Sequence, residues 1–133
     1  MKIGFTGTQI GMDQFQRTQL YHHLIDLGAT EFHHGDCIGA DKEAHDVALA
    51  AGVEIIVHPP ENDKKRAFCE GYKRRANPLP YLERNRRIVE SCDVLIAAPK
   101  SNQEELRSGT WSTYRYAKRI GKAVILLGRN ADE

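Results

Sequence analysis

A chain of 133 residues is long enough to bury one core and too short for two, so a single domain spanning 1–133 is expected. Hydrophobic residues at 41% and charged residues at 28% are ordinary globular proportions, and no apolar run reaches the length of a helical membrane span. The net charge of +1 argues against an overall basic or acidic protein, and three cysteines without a CxxC pair indicate neither a disulfide framework nor a structural zinc site.

Five short apolar runs recur along the chain, at 2–5, 30–33, 53–57, 94–98 and 123–127, and each reads as a buried strand. Between the first two, Leu20, Leu24 and Leu27 keep helical spacing, and Ala44, Val47, Ala48 and Ala51 do so between the second and third. Helices are also expected at 81–91 and 110–120, with Gly28, Gly52 and Gly121 each placed just past a helix end. This alternation predicts an α/β protein: a Rossmann-like three-layer fold with a five-stranded parallel sheet in the order 3-2-1-4-5. In such sheets a ligand sits beyond the carboxyl ends of the strands, at the point where strand order reverses.

The stretch 58–80, with Pro59, Pro60, Pro78 and Pro80, is the one long irregular piece and is expected to be a basic loop or lid. From 64 to 87 nine basic residues face only Glu70 and Glu83, so the remainder of the chain is net negative. The amino-terminal MKIGFTGTQ lacks the apolar core of a signal peptide, so a cytoplasmic location with reduced thiols is expected.

Four segments follow strand ends and should converge. Gly7 and Thr8 lie after the first strand, where glycine and hydroxyls bring backbone N–H groups close to a ligand. Gly35 and Asp36 follow the second, with Asp36 suited to a ribose hydroxyl; Asp41, farther on, reads as a helix cap. Arg84 and Arg86 open the third helix, where a guanidinium can fork onto phosphate oxygens. By spacing, Arg84 and Arg87 share a helix face and Arg86 points elsewhere. Pro99 follows the fourth strand, and Ser108, Gly109 and Thr110 open the last helix, whose free N–H groups and dipole suit an anion. The histidine pairs His22–His23 and His33–His34 are adjacent rather than spaced i, i+4, so no metal and no other cofactor is expected.

Taken together, HGDCIGAD, YLERNRRIVESCDVLIAAP and RSGTWSTYRYAKRIGKAVILL resemble the SLOG superfamily, which groups LOG phosphoribohydrolases, DprA/Smf proteins and YpsA-like proteins. The resemblance is greatest to its small YspA-like group. It implies a nucleotide-binding domain, sensing a nucleotide in some members and hydrolysing an N-glycosidic bond in others. It also implies a catalytic role for Arg86, which matches the LOG arginine; the position of the LOG glutamate is taken by the Trp111-Ser112-Thr113 region, which leaves Asp36, Glu104 or Glu105 to supply the carboxylate, Asp36 being the catalytic candidate of the three. The expected partner is therefore a nucleotide-like small molecule that is sensed or sequestered, with an N-glycosidic hydrolase as the alternative. Binding of single-stranded nucleic acid through the basic loop ranks third, no membrane partner is expected, and a homo-oligomer is compatible with the sequence.

Overall fold

In the computed structural model, which describes residues 1–130, β1 (Lys2–Gly7) forms the centre of a parallel sheet. It pairs with β2 (Glu31–His34) on one side and with β5 (Val94–Ala98) on the other, and this second pairing carries Thr6 opposite Ala97 and Gly7 opposite Ala98. β3 (Glu54–Val57) extends the sheet beyond β2, and β6 (Ala123–Leu126) extends it beyond β5. These five strands lie in the expected 3-2-1-4-5 order.

The sheet has a sixth strand, which corrects the expected count. β4 (Arg74–Arg75) pairs in parallel with Ile56 and Val57 at the β3 edge, so the full order is β4-β3-β2-β1-β5-β6. Two consecutive arginines show no apolar alternation, and only backbone hydrogen bonds recruit them to the edge.

Helices cover both faces, giving the three expected layers. Leu20 and Leu24 of α1 (Gln14–Asp26) pack with Ala40, Ala44 and Ala48 of α2 (Ala40–Ala50) onto Ile3, Phe5, Phe32, Ile55 and Ile96. On the opposite face, Ile88 and Val89 of α3 (Tyr81–Ser91) and Ala117 of α4 (Gly109–Arg119) pack onto Leu95. Each fully buried leucine, isoleucine or phenylalanine contributes roughly 1.5–3 kcal/mol through removal of apolar area from water. α1 starts with a reciprocal cap in which Asp13 accepts from Gln16 N and the Gln16 side chain accepts from Asp13 N. No helix among the described residues is long and apolar enough to cross a membrane.

Residues 58–80 are tied down along their length and form a strap against the β2–α2 turn. A 3-10 turn at Asp63–Lys65 is followed by bridges between Cys37 and Arg66 and between Pro60 and Leu79. Ile38 N donates to Lys65 O at 2.9 Å and Ala67 N to Asp36 O at 2.8 Å. No residue of 58–80 lines the crevice described below, and the segment lies beside it.

Candidate functional site

Beyond the carboxyl end of β1, where the sheet order reverses, lies a crevice of about 520 Å³. Its first wall is the turn from Gly7 to Ile10. The turn is held by Thr8 N donating to Ala98 O and by Thr8 O accepting from Ala40 N. The approach depends on Gly39, which has φ +86° and would drive a Cβ into the Gln9 backbone.

The second wall is the start of α4. Ser108 Oγ caps the helix by accepting from Trp111 N at 3.2 Å, while the N–H groups of Gly109 and Thr110 have no acceptor among the described residues. Those two donors sit at the positive end of the helix dipole, and all three residues line the crevice with Lys100 and Arg107. Lys100 is only loosely engaged, with Glu105 Oε2 at 3.8 Å.

Arg84 forms the floor and is almost completely buried. Its Nη1 donates to Gly35 O at 2.5 Å and to His58 O at 3.2 Å, its Nε donates to Asn85 Oδ1 at 2.8 Å, and its Nη2 lies 3.6 Å from Cys37 Sγ. The guanidinium therefore ties the end of β2 to the end of β3 while lining the crevice. A side chain at position 35 would place Cβ 2.6 Å from Arg84 Nη1, so the glycine makes room for the arginine.

Beside it, Asp41 Oδ2 accepts from Cys37 N at 3.2 Å. Burial pushes the Asp41 carboxyl up to about 6, against the opposing pull of the Arg84 charge and two backbone hydrogen bonds. Burial likewise raises the Cys37 thiol, helped by the Asp41 charge.

Of the sequence-derived candidates, the crevice gathers Gly7, Thr8, Gly35, Arg84, Ser108, Gly109 and Thr110. Three expected residues, Asp36, Arg86 and Pro99, do not line it. Asp36 adopts φ +55°, and its fully buried carboxylate is taken by Arg66 Nε at 2.7 Å and Cys69 N at 2.9 Å. Arg86 lies two helical positions from Arg84, about 200° around the axis, and is stacked over the Tyr116 ring in a separate groove. Pro99 is buried behind the wall, with its carbonyl accepting from Gln16 Nε2 and Arg129 Nε. Asp41, which the sequence offers as a helix cap, and Asn85, to which it gives no role, also line the crevice. The signal for Asp41 was its place one position inside the helix after Gly39-Ala40, which reads equally well as capping.

His34, His45 and Cys69 bring one ligand-type atom each within 4.8 Å of one another, all buried. Their chemistry is that of a filled hydrogen-bond chain. Asp36 N donates to His34 Nδ1, which leaves the proton on Nε2 to meet His45 Nδ1 at 2.9 Å, and His45 Nε2 reaches Glu70 O. Burial, with a hydrogen bond to Asp36, pushes the Cys69 thiol up to about 12 and keeps it protonated.

No family model matches the chain, and no curated protein matches it in sequence. Solved structures do match. The molybdenum cofactor binding protein from the phototrophic bacterium Rippkaea orientalis is 25% identical over 98% of this chain and 78% of its own, with a TM-score of 0.72. The Moco carrier protein from Chlamydomonas reinhardtii is 22% identical over 99% of this chain and 80% of its own, with a TM-score of 0.71. DNA processing protein A from Streptococcus pneumoniae is 20% identical over 94% of this chain and 49% of its own, with a TM-score of 0.65. The chain thus has the SLOG-type, Rossmann-like fold that its sequence motifs resemble.

Proposed function

We propose that this protein binds a nucleotide-like or cofactor-like phosphorylated small molecule in the β1–α4 crevice and senses, sequesters or carries it. The observation that carries the reading is the pair of unengaged N–H groups at Gly109 and Thr110. They face the same crevice as the Gly7–Ile10 turn and the cations Lys100 and Arg107. Backbone donors at a helix start, flanked by two cations, hold a phosphate without needing any side-chain rearrangement. Two proteins with the same fold are named for binding or carrying the molybdenum cofactor, which supports a bound ligand over a purely structural role.

Mass spectrometry of small molecules released from heat-denatured protein identifies the ligand. Calorimetric titration with mono-, di- and cyclic nucleotides and with molybdenum cofactor then measures its affinity. Saturable binding of a phosphorylated compound is expected. Failure of every phosphorylated compound to bind would overturn the reading.

Asp41 favours a second reading as a hydrolase. A buried carboxyl titrating at about 6 beside Arg84 is suited to proton transfer at a glycosidic bond, a role for which Asp36 is unavailable because Arg66 occupies it. Chromatographic release of free base from nucleoside monophosphates tests it: sustained turnover, lost in Asp41→Asn, favours the hydrolase, and binding without turnover favours the carrier.

A further inference from the structure

Arg86, displaced from the crevice, belongs to a different construction. On the outer side of the molecule, α3 and α4 enclose a groove of about 190 Å³. Tyr116 lies within it, with the guanidinium carbons of Arg86 and Arg119 at 5.1 and 5.3 Å from its ring centroid. The ring thus gathers two exposed cations, whose like charge an anion bound there would offset. A third arginine of the groove, Arg115, is already neutralised by Glu104 at 2.8 Å, whereas Arg86 and Arg119 have no carboxylate within ion-pair distance among the described residues. The nearby Glu90 carboxylate accepts from the Tyr116 hydroxyl at 2.7 Å, which fixes the ring.

The groove also contains the hydroxyl of Ser112 and the carboxamide of Asn85. Asn85 Oδ1 accepts from Arg84 Nε, which leaves its NH2 group to donate elsewhere. Asn85 lines both the groove and the crevice, so the two cavities meet at this residue.

The geometry points to a second anion site in the α3–α4 groove, in which Arg86 and Arg119 bind a phosphate-type group beside Tyr116, with Ser112 and Asn85 as further donors. Two planar guanidinium forks suit the oxygens of a phosphate monoester or a terminal pyrophosphate. Such a group is either free in solution or the distal phosphate of a ligand extending from the crevice past Asn85. Only the second source rests on the function proposed above.

Amide chemical-shift mapping of the full chain separates the two cavities in one experiment, because Ser112, Tyr116 and Arg119 report the groove and Thr8, Gly109 and Thr110 report the crevice. Pyrophosphate and ATP are the probes, with chloride at matched ionic strength as the control. Saturable shifts of the groove amides are expected, weakened about 10-fold or more in Arg86→Gln and in Arg119→Gln and lost in the double variant. If pyrophosphate alone produces them, and Gly109→Asp leaves them unchanged, the anion is free. If only ATP produces them and Gly109→Asp removes them, the distal phosphate is the occupant. Groove amides that stay still with both probes, that shift equally with chloride, or that shift undiminished in the double variant overturn the site. Crevice amides that stay still while groove amides move would count against the proposed function and leave the groove site standing.

Discussion

Gly109 is the residue at which the binding proposal is most exposed to test. A Cβ there meets nothing within 4 Å, so Gly109→Asp adds a carboxylate without steric strain and places it on the unengaged N–H groups. Loss of phosphorylated-ligand affinity by at least about 10-fold, roughly 1.4 kcal/mol, is expected by calorimetry, with an unchanged far-UV spectrum. Retained affinity would remove the phosphate from this wall. Asp41 makes a separate prediction. As pH rises through about 6 its carboxyl ionises in the crevice and opposes an anionic ligand, so affinity should fall there and Asp41→Asn should flatten the profile. A cyclic nucleotide is the proper probe, because a phosphodiester keeps its charge across this range while a phosphate monoester does not. That Asp41, and not Asp36, faces the crevice was not legible in the sequence. The two carboxylates lie five residues apart, Asp36 in the loop after β2 and Asp41 in the first turn of α2, and the choice is made by Arg66, whose approach is a tertiary event. The choice between Arg84 and Arg86 was partly legible, because helical phase alone sends them to different sides.

At the scale of elements, the strap depends on a buried ion pair more than on its abundant surface charge. Asp36 joins Arg66 and the backbone of Cys69 to the end of β2, and Arg66 in turn stacks against Phe68 at 4.5 Å. Asp36→Asn removes the charge at the fully buried end of the pair and leaves Arg66, partly exposed, with Asp63 at 3.8 Å, so it should cost about 1.5–3 kcal/mol in urea denaturation. Replacing Lys73, Arg74 and Arg75 by alanine should cost less than about 1 kcal/mol, because their side chains are exposed and the one close ion pair among them, Lys73 to Glu54, is on the surface. Comparable losses in the two variants would mean that β4 anchors the strap. In the sequence the strap has the look of an irregular lid because prolines and charge obscure a structure built from backbone bridges, which carry no side-chain signature. The five longer strands were legible for the opposite reason: strands of a parallel sheet covered on both faces become uninterrupted apolar runs.

Across the whole molecule, the carboxyl ends of β2 and β3 collect uncharged imidazoles in the interior, and this sets how the fold responds to acid. His33 Nδ1 meets His58 Nε2 at 2.8 Å, and His34 Nε2 meets His45 Nδ1 at 2.9 Å, so protonating either pair would set a like charge against a donor. Burial holds His34 well below the ordinary imidazole range and lowers His58 to about 3, with Arg84 close enough to both to push in the same direction. Burial lowers His33 as well, but Glu31 at 3.0 Å pulls the other way. In the unfolded chain these histidines bind protons near pH 6.5, so as pH falls below that value the unfolded state takes up protons that the folded state refuses, and stability declines. Asp41 acts in the opposite sense: its folded value of about 6 lies above its unfolded value, so it takes up a proton on folding between about pH 6 and 4 and partly offsets the loss. His34 and His58 outnumber it, leaving a net loss of about 1.4 kcal/mol per pH unit around pH 5. Urea denaturation at pH 7.5, 6.5, 5.5 and 5.0 measures this slope. Histidine ring NMR over the same range should show the rings of His34 and His58 staying uncharged. Stability that is flat or rises between pH 6.5 and 5.0 would mean that the buried imidazoles accept protons in the folded state, and that the hydrogen-bond chain at the end of β2 is not neutral.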